Sequence, residues 1–593
     1  MLERTRRPLL LTIALSAFYL LGIGWGLPGA ERADRVLAPD QRQESFYRAL
    51  EANRAALYAR IGLNPMANYG RWASSGADPR RDPQYAFSGG FVPPGAIRAY
   101  PAGSKVPPIL MHSYSSFLLR SVDGDEHAVI NSLSRFHPRR LDFNPHSFQY
   151  GGPYLYPLAG FLAAAHAAGA LRLVPEALYY YAHPGELARI YVAGRIFSFL
   201  GVLVCLWAMV LIGRRLGDEA GGLWAALFFG LAPGVVALAH IMKPHAWAAA
   251  WGLLCLHACL RCAESPGRGR MALAAVFAGV AVGTARYNWV LAFPCAIAFF
   301  KGSGSSPRDP RAWARLLGWG AVAGAVFFAA NPYAIPDWGD FVAESRGFSH
   351  WYAPTPRPWL WAAGFADALI SGLGPVLGLL GLGGFFMAAR GSREDRLLFF
   401  LALPVLLLKG VMFATHRADP GNYRAYLLEM GLAALWAVRW LREAIAGASR
   451  RRAALAALAL LLAGEAVLYD ANFLADRPGR SNAFAAGDWA AKNIPRAAGL
   501  GFATMLPLVD QFPPLRFSEY ELVSVTKPLA ELDAGEASRL PPYFICRGGG
   551  CPPGIARYYE ALKAFDRGPA LWPSFRDPVT AANFPIEILR RKS

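Results

Sequence analysis

Between Val122 and Leu158 the chain carries a run of side chains able to do acid–base chemistry: Asp123, Asp125 and Glu126, then Asn144, His146, Gln149, Tyr150 and Tyr154. A carboxylate beside hydrocarbon is expected to hold its proton more tightly than in water, because partial desolvation disfavours the charged form. Such a group can take a proton from an attacking hydroxyl. Adjacent residues point in different directions, so Asp125 and Glu126 are not expected to share one task. Asp125 is the expected base, with Glu126 or Asp123 as its support or as an occasional metal ligand. Asn144, His146 and Gln149 offer hydrogen bonds, and Tyr150 or Tyr154 a ring that stacks on a sugar face. The same aromatic residues suit an interfacial belt at a bilayer surface. Lys243 and His245 in HIMKPH, Arg286 in GTARYNW and Arg424 in NYRAYLLE stand where apolar blocks begin or end. A cation there either snorkels to headgroups or meets an anion. A phosphate on a lipid carrier is an expected partner of Lys243 and Arg286, and Arg424 reads similarly.

These residues are embedded in a chain of 593 residues that is 54% hydrophobic and only 17% charged, against about 25% charged in a soluble domain. Twelve apolar blocks recur, from 8–27 to 453–472, most of them near the length needed to cross roughly 30 Å of hydrocarbon. The block at 8–27 follows MLERTRR and is read as an anchor that stays rather than a cleaved signal. Arg clusters fall in short loops between blocks, which explains the net charge of +19 by the positive-inside rule and argues against nucleic acid as a partner. Those loops share one side if block 154–173, opened by GGPYLYP, lies along the interface or re-enters. The expected fold is therefore an all-α polytopic membrane domain over 1–472, with about eleven spanning helices plus that interfacial or re-entrant one. The expected site is a multi-pass plasma (inner) membrane with the N-terminus cytoplasmic. The external loop 28–153 then carries the acids, and 473–593 forms a small extracytoplasmic α/β domain. In that domain AFAAGDWAAKNIP reads as a helix and GLGFATM, LVSVT and YFIC as short strands.

Cys546 and Cys551, in CRGGGC on the oxidising side, are expected to form a disulfide. Cys255, Cys259 and Cys262 share a helix face and with His257 invite a metal, but in an apolar block they read as small apolar filler. GLGPVLGLLGLGG places Gly374 and Gly378 on one helix face, as a helix-packing surface. The chain has no GxxxxGK[ST] loop, no GxSxG and no HExxH.

The order of motifs carries a resemblance. After the DE pair come NPHSFQYGGPYLYPL, AGRIFS with Arg195, GRRLGD, HIMKPHA, GVAVGTARYN and NPYAIPDWGDF. This series resembles polytopic GT-C glycosyltransferases that use lipid-linked sugars, and most of all the bacterial branch related to protein O-mannosyltransferases and aminoarabinose transferases. It covers roughly residues 122–345 well and 396–500 more loosely. The resemblance implies a catalytic carboxylate in the first external loop, at Asp125. It also implies a second acid in the turn after KP, where this chain has His245, and a Lys in the GT-Lys position, where Arg286 stands one residue later. The long insertion at 29–121 has no counterpart in that pattern.

The expected reaction is inverting transfer of a sugar from a polyprenyl-phosphate donor to an acceptor hydroxyl on the extracytoplasmic side, in contact with the bilayer. A phosphate leaves as a stable anion, so one base suffices where a hydrolase uses two carboxylates. No cofactor is firmly expected, and the acids leave room for a divalent metal. Two other readings stand beside it. A polyprenyl-lipid transporter or flippase would place ionisable residues near mid-span, and a non-catalytic membrane scaffold would need only the outer domain.

Overall fold

The computed structural model describes residues 2–62, 64–74, 97–102, 108–351, 357–413, 422–477, 479–504, 506–548, 551–566 and 582–592. The apolar blocks are helical, but several are broken by the residues that cannot continue a helix. The first helix, Leu2–Leu20, stops inside block 8–27, and the chain then turns through Gly22 and Gly26, both at positive φ, which only glycine adopts cheaply. This turn buries Trp25 completely. Its Nε1 donates to the His240 carbonyl at 2.8 Å. Block 361–389 divides at Gly374 (φ +79) into Pro358–Leu373 and Pro375–Ala388. Pro375 has no N–H to continue the ladder, so Gly374 and Gly378 do not share a helix face: Gly374 caps the second helix and lies against the Glu465 carboxylate, while Gly378 packs against Leu369 and Ile370. Block 220–240 bends by 68° between Glu219–Leu231 and Pro233–Ala239.

Among the described residues five helices are long and apolar enough to cross a membrane, or six if the bent pair is one span. They are Pro184–Arg215, His245–Glu264, Pro310–Ala330, Arg393–Phe413 and Ala448–Ala475. That is fewer than the eleven the blocks suggested: two blocks are divided at Leu20 and Gly374, and 271–285 and 286–301 give α-helices of only 17 and 12 residues. Block 154–173 forms a helix of 16 residues, Gly152–Ala167, about 24 Å long. Pro310–Ala330 is the most open of the five, with 6% of its apolar window buried against 72% for Pro184–Arg215. A helix so apolar and so uncovered needs an apolar solvent.

The sheet has six strands in the order β1-β3-β2-β4-β6-β5, with β1 Ile97–Tyr100, β2 Gly499–Phe502, β3 Glu521–Val525, β4 Tyr543–Arg547, β5 Tyr559–Phe565 and β6 Ile586–Arg591. Strands β3, β2 and β4 run parallel, and β1 and β6 pair antiparallel with β3 and β4. The helix Asn482–Asn493 precedes β2 and is capped by Ser481, whose side chain accepts from the Phe484 N–H. The edge strand β1 comes from the insertion, so the sheet is not built by 473–593 alone. The sheet seats on the bundle through Phe517, whose ring meets Tyr114 and Phe117 edge-on at 5.3 and 5.2 Å. Those two aromatics lie on the helix Pro108–Leu119, which runs directly into the acidic stretch. Cys546 and Cys551 are bridged, with Cα atoms 5.2 Å apart.

Candidate active site

The acid helix, Gly124–Leu133, starts where Asp123 caps it: the Asp123 Oδ1 accepts the Asp125 N–H at 3.0 Å. The Val122 N–H donates to Gly26 O at 2.8 Å, and the Gly26 N–H to Asp476 O at 2.9 Å. The acids are thus tied to the first and last helices of the bundle. Lys243, in the turn before His245–Glu264, is 2% exposed and bridges the two acids. Its Nζ lies 3.0 and 3.1 Å from the Asp123 oxygens and 2.8 Å from Asp125 Oδ2. Arg424, in the turn Asn422–Tyr426, donates to the same Asp125 oxygen at 3.0 Å. Of this group the Asp125 side chain is the most open, 48% exposed against 23% for Arg424.

These contacts reverse one expectation. Lys243 first, and then Arg424 against the opposing effect of burial, holds the Asp125 carboxyl well below the usual carboxylate range. The desolvation that the sequence suggested is present, and the two cations outweigh it. Tyr150 is buried beside this group, and burial, then the Asp125 charge, pushes its phenol up, so it stays protonated.

Glu126 corrects a second expectation. It is fully buried and faces away from Asp125, into the bundle. Its oxygens accept from Arg195 Nε and Nη2 at 2.8 and 2.7 Å, and one also accepts the Met242 N–H at 2.7 Å. Arg195 Nη1 donates to the carbonyls of Ile23 and Trp25, both at 2.7 Å, and the guanidinium lies 4.8 Å from the Trp25 ring centre. This paired and satisfied carboxylate holds the Trp25 turn, the long helix and the Lys243 turn together. It braces the turn that carries Lys243 and has no exposed surface of its own.

The remaining sequence candidates divide. His245 Nδ1 lies 3.1 Å from the Tyr287 hydroxyl. Lys409 Nζ stands 5.0 Å over the Tyr287 ring and pairs with Glu429 at 2.8 Å. The sequence reading passed over Lys409 and Glu429, although a charge inside an apolar block signals a buried partner. Tyr154 is fully buried with its hydroxyl 3.0 Å from Ser198 Oγ, so it presents no face to a sugar. Ser198 Oγ also accepts the Lys243 N–H at 3.1 Å. Asn144 and His146 are drawn to Asp337 instead: Asn144 Nδ2 donates to it at 2.7 Å and His146 Nδ1 lies 3.7 Å away. They fasten the NPHSF stretch to NPYAIPDWGDF. Arg286 has a protein partner, Glu344 at 2.6 Å, rather than needing a lipid phosphate for charge balance. Glu344 is fully buried and also accepts from Asn64 Nδ2 and the Phe148 N–H, at 2.8 and 2.7 Å. Burial outweighs Arg286 there and pushes the Glu344 carboxyl up. Asn64 belongs to the insertion, which this cluster therefore fastens to the bundle.

The acids as arranged do not fit a divalent metal. The Lys243 ammonium lies between Asp123 and Asp125, where a bridging ion would sit, and Glu126 is engaged by Arg195. A different group of metal-type ligands is close among the described residues: the sulfurs of Cys255, Cys259 and Cys295 lie within 4.8 Å of one another, buried between two helices. Cys262 instead approaches the Met271 sulfur at 3.7 Å.

No protein-family model matches the chain, and no curated protein matches it. Solved structures do. Archaeal oligosaccharyltransferase AglB from Archaeoglobus fulgidus, in complex with an inhibitory peptide and a dolichol-phosphate, matches at 14% identity over 67% of this chain and 60% of that one, with a TM-score of 0.33. The apo form of the Archaeoglobus fulgidus oligosaccharyltransferase matches at 13% identity over 68% and 61%, with a TM-score of 0.37. ArnT from Cupriavidus metallidurans bound to undecaprenyl phosphate matches at 14% identity over 74% and 88%, with a TM-score of 0.35. This chain spans about 60% of the length of the oligosaccharyltransferases it matches.

Proposed function

We propose that this chain is an inverting GT-C-type glycosyltransferase that moves a sugar from a polyprenyl-phosphate donor to an acceptor hydroxyl at the extracytoplasmic face of a membrane. The observation that carries this reading is the half-exposed Asp125, held by Lys243 and Arg424 where apolar helices begin. A carboxylate and two cations in contact, beside hydrocarbon, suit a substrate with a lipid tail, an anionic leaving group and an acceptor hydroxyl. The order of motifs from Asp123 to Phe341 supports the same reading.

In this reaction Asp125 takes the acceptor's proton while the acceptor oxygen attacks the anomeric carbon. The bond from that carbon to the phosphate oxygen breaks, and its electron pair leaves with the phosphate. Attack from the opposite face inverts the centre. The phosphate gains one negative charge as the bond breaks, so Lys243 and Arg424 bind it more strongly in the transition state than in the ground state. Asp123 holds Lys243 in place through its ion pair with the ammonium. No step here runs through a metal.

The test uses purified chain in liposomes with radiolabelled polyprenyl-phosphate sugars, wild type against Asp125→Asn, following release of lipid phosphate. Release by the wild type that collapses in the variant is the expected result. Equal release in both would remove Asp125 from the base role. Lipid movement across the bilayer without release would replace the transferase with a flippase.

A further inference from the structure

The two cations assigned above to the leaving phosphate are held in this structure by the carboxylate assigned to the acceptor. Lys243 Nζ and Arg424 Nη1 converge on one oxygen, Asp125 Oδ2, at 2.8 and 3.0 Å. An oxygen receiving two charged donors is also how a phosphate oxygen is held. Asp125 is the open member of the trio, and Lys243 is nearly sealed. Lys243 has a second anion in Asp123, which is fixed as the cap of the acid helix and stays with Lys243 if Asp125 leaves. Apart from the two cations, Asp125 is fixed through its backbone N–H, so rotation of its side chain is enough to release it.

We propose that the donor's phosphate competes with Asp125 for Lys243 and Arg424, so that donor binding frees the carboxylate that then accepts the acceptor's proton. This rests on the transferase reading. In the donor-free state Asp125 is an occupant of the phosphate site and a poor base, consistent with the direction in which the two cations move its proton affinity. Phosphate binding removes both cations from the carboxylate and brings an anion beside it, and each change raises its basicity. The acceptor is therefore activated only when a donor is present. By linkage, whatever removes the Asp125 charge must tighten phosphate binding by the same factor that phosphate binding disfavours that charge.

The probe is a polyprenyl methyl phosphate diester, which carries the donor's single charge and has no second ionisation. It is titrated by calorimetry into the full-length chain in phosphatidylcholine nanodiscs. Asp125→Asn and Asp125→Ser are expected to bind it about tenfold more tightly than wild type, and Asp337→Asn, an acid held elsewhere, to bind as wild type does. Wild type is also expected to take up protons on binding at pH 5, read from the heats in two buffers, and Asp125→Asn to take up fewer. This second readout needs no gain in affinity from a variant. Equal or weaker binding by both Asp125 variants, or equal tightening in Asp337→Asn, would overturn the exchange and leave the transferase reading standing. No binding by any form would overturn that reading as well.

Discussion

Asp125 and Glu126 are neighbours in sequence with the same chemistry, and the fold gives them opposite surroundings. Glu126 is fully buried, meets one guanidinium through two parallel hydrogen bonds and receives a third from a backbone N–H. Asp125, one residue earlier in the same helical turn, is half exposed and shares one oxygen between two cations from different turns. The buried pair joins three segments of chain. The open one joins two segments only as long as nothing better is offered to Lys243 and Arg424. Burial and saturation make a carboxylate structural. Exposure and partial neutralisation leave one able to change partners.

The sharpest way to break this contrast is to exchange the outcomes of the two residues. Glu126→Gln leaves Arg195 charged and unpaired in the bundle, and a broken buried pair costs about 3–5 kcal/mol. The expected result is a large fall in thermal midpoint and in yield of monodisperse protein. A variant as stable as wild type would show that the pair is not needed for the fold. Asp125→Asn is expected to lose about 10²–10⁴-fold in turnover, the usual contribution of a positioned base, with its thermal midpoint near that of wild type. A stability loss as large as that of Glu126→Gln would erase the distinction.

A third residue extends the series. His127 follows Glu126 on the same helix, and burial, then Arg120, keeps its proton affinity well below normal. His112 is lowered to about 3 by burial and then by Arg120. Both rings are neutral when folded and gain a proton in the unfolded chain below about pH 6.5. Stability is therefore full above that pH and falls on acidification by about 1.4 kcal/mol per pH unit per histidine until the folded-state value is reached. Thermal midpoints from pH 7 to 5 should show this slope less the opposite contribution of Glu344, and His127→Gln should remove one histidine's share of it while His112 keeps the other. The smallest effect is expected at Ser198→Ala. Losing the hydroxyl that accepts the Lys243 N–H should cost about 1 kcal/mol and lower turnover a few-fold, with no change in the pH slope.

The sequence located these residues better than it assigned their work. Period and composition marked the helices of the apolar blocks, and β-rich runs marked β2, β3 and β4, because those signals are local; the helices Pro108–Leu119 and Trp338–Trp351 outside those blocks were not marked. The breaks at Leu20 and Gly374 were hidden inside runs that remain apolar on both sides. Asp125 was legible through its motif, but its proton affinity was not, since that depends on Lys243 and Arg424, which are far away in sequence. Arg195 appeared only as part of a motif, although an arginine inside an apolar block already asks for a partner. Arg286 asked the same question, and its answer, Glu344, lies beyond two whole helices. β5 and β6 were not foreseen.

One strand sets the order in which the molecule can be completed. β1 pairs Ile97 with Val525 and Tyr100 with Leu522, so its partner is made only after almost the whole helical bundle. Until then the N–H and C=O groups of Ile97–Tyr100 have no ladder to join and can template a wrong pairing. The cost of closing so long a loop grows only slowly with its length, so the finished edge need not be weak. It is late. The newly made segment must wait for the end of its own chain, and any factor that shelters it during that interval would speed maturation without touching the finished protein.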